Sequence, residues 1–281
     1  MRLGIIGCGN MGSALARGVL SKKILPFNNI YISDKDLHKI KELYKKFGIR
    51  VSANEELVKK CNFIIIAVKP QDSKILFRSI SGELNNSKHL ISIMAGVSIS
   101  KIESLINKKI ALTRAMPNMA ALAGKSTTCL SHNKMVKDKA VVHSIFSSVG
   151  DVLEIDEKYM DAVTAVSGSG PAYFFYLAEA LKEAAMKLGI KGEHALRLAA
   201  GTLIGSGALL DDLKLNPQVL RERITSKGGT TEAALRILKS KKFKNLVVEA
   251  IKAAARRSKR LSKCSTSSGF RPERSRGTKG A

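Results

Sequence analysis

The sequence predicts an α/β chain: a doubly wound, mainly parallel sheet in the N-terminal half and an all-α C-terminal half. Three observations carry that prediction. Short apolar runs alternate with amphipathic stretches in the first half, as in a parallel sheet covered on both faces. After about residue 157 no strand-like run remains and the apolar period is helical. A glycine-rich turn separates the first apolar run from the first helix.

The chain has 281 residues, enough for about two domains of ordinary size. Strands are expected at 2–6, 30–33, 63–68, 90–94, 110–114, 126–130 and 151–155, with helices near 11–21, 35–47 and 54–60 joining the early ones. The second half reads as helices over 158–166, 171–188, 193–213, 217–225, 230–240 and 243–262. Punctuation supports these limits: Pro171 suits a first turn, Gly189 follows a helix end, and Asn216-Pro217 reads as N-cap and first turn. The expected domains are 1–157, 158–262 and a disordered basic tail over 263–281.

Within 193–213, Gly201 and Gly205 set small side chains one helical turn apart. Glycine weakens a helix by about 1 kcal/mol relative to alanine. Close approach of another backbone compensates for that loss, supplied either by a second subunit or from within the chain.

The net charge of +25 ordinarily points to nucleic acid or a membrane surface. Here ten Lys or Arg and one acid, Glu273, fall between Lys252 and Ala281, so nine of those charges belong to the C-terminal end. The remainder is scattered, Trp is absent and aromatics are few, which argues against a base-stacking surface and a specific nucleic-acid partner. Cys8, Cys61, Cys129 and Cys264 form no CxxC pair, and the five histidines have no ligand spacing, so free thiols and no metal site are expected. The opening strand leaves no room for a cleavable signal, and the run 198–210 is too short and glycine-rich to span a bilayer, so a cytoplasmic protein is expected.

"GIIGCGNMGSAL" places Gly7, Gly9 and Gly12 in a GxGxxG pattern after a strand and at a helix mouth, the context of a Rossmann dinucleotide site. Gly7 permits the turn, Gly9 lets backbone N–H groups approach the pyrophosphate, and Gly12 lets helix pack on strand. The helix N-terminus stabilises the phosphates. Asp34 follows Gly12 by 22 residues, where a carboxylate accepts from ribose hydroxyls and favours NADH; Lys35 beside it is the candidate contact for the extra phosphate of NADPH. Loops at strand ends, "AVKP" (67–70), "IMAG" (93–96) and "RAMPN" (114–118), border the ligand by position. The cofactor-binding candidates are Ile6, Gly7, Cys8, Gly9, Asn10, Met11, Gly12, Asp34, Asn54, Ala67, Val68, Lys69, Pro70, Ile93, Met94 and Ala95.

Two stretches of the helical half complete a specific combination, "DAVTAVSGSGPAYFF" (161–175) and "ITSKGGTTEAAL" (224–235). Together with "AVKPQ" and "RAMPN", they make residues 2–262 resemble the Δ1-pyrroline-5-carboxylate reductases, enzymes of the last step of proline synthesis. The resemblance implies NADPH or NADH as cofactor and 1-pyrroline-5-carboxylate as substrate. It also implies a helical dimerisation domain, homodimers that in many members assemble into decamers, and an active site between the cofactor domain and the helices of the dimer.

That substrate is a five-membered cyclic imine carrying a carboxylate. A turn of free N–H groups ahead of a helix is an anion site, and Gly228-Gly229 let the backbone approach closely. Ser226, Thr230 and Thr231 add hydroxyls, and by the resemblance Thr231 is the catalytic hydroxyl beside the imine nitrogen. Iminium reduction requires mainly positioning, so the lack of an evident catalytic His or Asp is consistent with it. This chain departs from the family at Lys227, where proline is usual, and at "MPNMAA" (116–121), where "MPNTP" is commoner.

Two alternatives come from other classes. Another reductase of this architecture, acting on a β-hydroxyacid or a different imine, is the enzymatic one. A β-hydroxyacid enzyme needs a lysine entering its second domain, whereas the first lysine after Pro171 is Lys182, about three turns in. A dinucleotide-sensing or nucleic-acid-binding protein is the non-enzymatic one, and it leaves the turn at 226–231 unexplained.

Overall fold

The computed structural model describes residues 1–264; residues 265–281, most of the expected tail, lie outside the described residues. The chain divides into two units, Met1–Thr164 with the described residues from Ala255 on, and Ala165–Ala254.

The first unit is built on one eight-stranded sheet. Its core strands are β1 (Leu3–Ile6), β2 (Ile30–Ser33), β4 (Phe63–Ile66) and β5 (His89–Ser92). β3 (Arg50–Val51) adds one edge, and β6 (Ala111–Met116), β7 (Ser126–His132) and β8 (Gly150–Glu154) extend the other. The order is β3-β2-β1-β4-β5-β6-β7-β8, with every pairing parallel except β6 against β7.

Apolar residues on both faces explain why these strands sit in the middle of the unit. The pleat sends Leu3, Ile5, Ile65 and Ile91 into one cluster and Ile6, Ile64, Ile66 and Leu90 into the other. Leu15 and Val19 of α1 (Asn10–Ser21), Leu43 of α2 (Leu37–Phe47) and Phe146 of α6 (Ala140–Ser147) close the first cluster. Leu57 of α3 (Asn54–Lys60), Phe77 of α4 (Ser73–Ile80) and Ile102 of α5 (Ile99–Ile106) close the second. Each fully buried aliphatic or aromatic side chain contributes about 1.5–3 kcal/mol.

The helical expectations hold with shifted limits. The stretch expected as one helix over 158–166 is α7 (Met160–Val163) followed by a π-helical turn over Thr164–Gly168. α8 (Gly170–Lys187), α9 (Gly192–Leu213), α10 (Pro217–Arg223), α11 (Thr230–Ser240) and α12 (Phe243–Cys264) follow. Asn216 caps α10 by accepting from the Gln218 N–H at 2.8 Å, and Gly189 takes φ +91° after α8.

In the second unit Ala195 and Ala199 are buried, while Phe174, Phe175, Tyr176 and Ile204 are exposed. A Cβ at Gly201 or Gly205 meets nothing within 4 Å, so packing inside the described chain does not account for these glycines. Among the described residues no helix is long and apolar enough to cross a membrane.

Candidate active site

In a parallel sheet, ligands bind at the carboxyl ends of the strands where the order reverses, here between β1 and β2 on one side and β4 on the other. Gly7 leaves β1 with φ +105°, and its N–H donates to the Ser33 carbonyl at the end of β2, 2.7 Å away. A Cβ on Gly7 would stand 2.5 Å from the Ala67 carbonyl oxygen, and one on Gly12 would stand 1.9 Å from the Gly7 carbonyl oxygen. Both glycines are therefore required by backbone packing. Gly9 differs: a Cβ there meets nothing within 4 Å.

Gly9 is also the N-cap of α1, and no side chain caps that helix. The first-turn N–H groups of a helix have no intrahelical acceptors, so Asn10, Met11 and Gly12 present donors and the positive end of the dipole to open space. This fits a pyrophosphate. The remaining cofactor candidates converge on the same edge. The Ala67 N–H donates to the Ile6 carbonyl at 2.8 Å, and the Ile93 N–H to the Ile66 carbonyl at 3.1 Å, aligning the loops after β1, β4 and β5. Pro70 opens a short turn over Pro70–Asp72 with Lys69 as its N-cap. Asn54 opens α3, which follows the parallel β3 and so also starts at this edge.

Asp34 stands just past β2, as expected, and its carboxylate also braces the turn. Oδ2 accepts from the Cys8 N–H at 2.5 Å and Oδ1 from the Asp36 N–H at 2.8 Å. The Cys8 thiol is buried, and desolvation, then the Asp34 charge, push it up to about 12, so it is neutral packing. Lys35 is paired with Asp72 at 3.2 Å. The sequence reading missed other cations here. A cleft of 630 Å³ beside the glycine turn is lined by Asn10, Ser13, Arg17, Lys39 and Lys46 among others. Arg17 lies four residues after Ser13, one turn along α1, which is the signal that was available.

"RAMPN" is not one exposed loop. Arg114 is buried within β6 and pairs with Glu157 at 3.3 Å, and Asn118 caps the short turn Met119–Ala123 by accepting from the Ala120 N–H at 3.1 Å.

The turn ahead of α11 lies in the second unit. Gly228 takes φ +75°, which favours glycine, and a Cβ on Gly229 would stand 2.4 Å from Ser226 Oγ. The expectation of a run of free N–H groups needs correction here. The Gly228 N–H donates to Glu232 Oε2 at 2.6 Å, and the Gly229 N–H to the Ser226 carbonyl at 3.1 Å. The open donors begin one residue later: Gly229 is the N-cap without a side-chain bond, leaving the first-turn N–H groups of Thr230, Thr231 and Glu232. Thr230 is exposed and Thr231 half-buried, with no side-chain hydrogen bond tying either hydroxyl within the described chain.

Comparison with known proteins agrees with both units. Residues 157–261 match the family model described as pyrroline-5-carboxylate reductase dimerisation, and residues 2–96 match that described as NADP oxidoreductase, coenzyme F420-dependent. The pyrroline-5-carboxylate reductase of Arabidopsis thaliana is 35% identical over 264 residues, covering 93% of this chain and 95% of that protein. A Plasmodium falciparum pyrroline carboxylate reductase solved with NADP bound is 35% identical with a TM-score of 0.84, covering 93% of this chain and 98% of that one. The Coxiella burnetii pyrroline-5-carboxylate reductase structure is 32% identical with a TM-score of 0.88, over 93% and 98% of the two chains. With a likeness of this degree running through the sheet and the helices alike, the chain belongs to the pyrroline-5-carboxylate reductase family.

Proposed function

We propose that this protein reduces 1-pyrroline-5-carboxylate to L-proline with NADH or NADPH, as an NAD(P)H-dependent oxidoreductase acting on a C=N bond. The observation that carries the reading is the full-length family likeness, which includes both the open glycine turn at Gly9 and the turn ending in Thr230-Thr231.

The bound nicotinamide supplies the hydride that adds to the imine carbon. Asn10, Met11 and Gly12 hold the pyrophosphate through backbone N–H groups, and Asp34 holds the adenosine ribose while bracing the turn through Cys8. The N–H groups of Thr230 and Thr231 bind the substrate carboxylate at the positive end of α11. Gly228, Gly229 and Ser226 shape that turn, and the Thr231 hydroxyl donates to the neutral imine nitrogen and relays to it, from solvent, the proton that the product amine keeps. Once the nitrogen is protonated, the imine carbon is electrophilic and needs orientation toward the hydride more than a strong acid.

The enzyme works as a homodimer through its helical unit, whose exposed Phe174, Phe175, Tyr176 and Ile204 form a surface that calls for a partner. Five dimers closing into a decamer is the larger assembly to test. The free, buried thiols of Cys8, Cys61 and Cys129 fit the reducing cytoplasm. The test is product analysis: proline should form mole for mole with oxidised dinucleotide. Dinucleotide oxidation without proline would overturn the reading.

A further inference from the structure

Four polar contacts around the loop after β5 are not accounted for by the reaction. The loop runs from Ile93 to Ser98 and contains Gly96 at φ +71°. At its far end the Ile99 N–H donates to Glu157 Oε1 at 2.7 Å, and the same oxygen receives the buried Arg114 at 3.3 Å. Four residues after Glu157, Asp161 Oδ1 accepts from Ser258 Oγ at 2.6 Å, a bond between positions 97 apart in the chain. Ser258 is 4% exposed and Asp161 half-buried, so the contact is partly shielded from water.

That bond ties the last turns of α12 to α7. One turn beyond Ser258, the Ser262 hydroxyl donates to the Ser258 carbonyl at 3.2 Å. Leu261 Cβ and Ser262 N each lie 3.4 Å from where a Cβ on Gly96 would be. The loop is thus held at one end by Glu157 and covered in its middle by the helix end. Ile93, Met94 and Ala95, the residues just ahead of Gly96, are the part that borders the cofactor.

We propose that Ser258 is a positioning residue: through Asp161 it seats the end of α12 on Gly96 and sets the loop that receives the nicotinamide half of the cofactor. The inference rests on the reductase reading above. It separates Ser258 from the substrate turn, so its loss acts on dinucleotide binding and leaves the imine subsite intact.

The test is titration calorimetry of NADPH and NADH with wild type, Ser258→Ala, Ser258→Thr and Lys259→Ala, with KM for the imine and melting curves alongside. Ser258→Ala should raise the Kd of the preferred dinucleotide about fivefold to tenfold, the scale of one buried hydrogen bond. The imine KM should stay within about twofold of wild type, and Ser258→Thr, which keeps a hydroxyl, and the exposed Lys259→Ala should bind as wild type does. Asp161→Ala removes the same bond from its other end and should weaken dinucleotide binding in the same direction; it serves if Ser258→Ala does not fold. Unchanged Kd in folded Ser258→Ala or Asp161→Ala, or equal losses in dinucleotide and imine, would overturn the inference while leaving the reductase reading intact. A wild-type protein that binds neither dinucleotide would overturn both.

Discussion

The Gly228 N–H donates to the Glu232 carboxylate at 2.6 Å, so the turn ahead of α11 is held by an acid from the third position of its own helix. The arrangement resembles a capping box, with the acid reaching back one residue further than usual because the N-cap Gly229 N–H already donates to the Ser226 carbonyl. Glu232→Ala should raise the imine KM several-fold and lower stability by about 0.5–1.5 kcal/mol. Glu232→Gln, which retains an acceptor, should stay close to wild type in both. Equal KM values for wild type and Glu232→Ala would show that the bond does not shape the turn.

Gly12→Ala should abolish dinucleotide binding at concentrations that saturate wild type. The new methyl would stand 1.9 Å from the Gly7 carbonyl oxygen, so the turn and α1 must move apart. Overpacking of this kind costs about 1–3 kcal/mol, which a melting curve reads together with binding by calorimetry.

Stability should fall on acidification through His89. Its Nε2 is 2.7 Å from Thr113 Oγ1, which is 2.8 Å from His132 Nδ1, and burial followed by the nearby His132 pushes the His89 pKa down to about 4. The folded value lies below the unfolded value of about 6.5, so the unfolded chain binds more protons between the two. The contribution is complete above about pH 6.5 and is lost as pH falls toward 4, to a limit of about 3 kcal/mol. Urea midpoints across this window should fall more steeply for wild type than for His89→Gln. Parallel slopes would contradict the assignment.

Gly205→Leu should leave the helix content of the monomer unchanged and weaken the dimer at least tenfold in sedimentation. Inside the described chain a Cβ at this position meets nothing within 4 Å, so a second subunit is the expected source of the cost. An unaltered dimer would place Gly205 away from the subunit contact.

Much of this architecture was legible because apolar runs such as "FIII" in β4 are buried on both faces and leave a continuous signal. β3 was not, since Arg50 and Val51 are exposed and only two residues long. α4, α5 and α6 were also missed: eight residues each give barely two turns, and unlike the equally short α3 and α10 they have neither an acid nor a proline in the first turn to mark the start. The glycine turn could be read from spacing, because backbone packing admits no side chain at Gly7 and Gly12. The bonds of Asp34 to Cys8 and of Glu232 to Gly228 could not, since side-chain direction decides which N–H groups stay open. Ser258 left no trace in any motif; its partner is 97 positions away.

The most direct test of the central claim follows dinucleotide oxidation with pyrroline-5-carboxylate, comparing wild type with Thr231→Ala. Wild type should turn over with at least one of NADH and NADPH. Thr231→Ala should keep its dinucleotide affinity and lose about 10²-fold in kcat/KM, as expected for a lost donor at the reacting nitrogen. Folded wild-type protein that binds dinucleotide and fails to reduce the imine with either one would contradict the account.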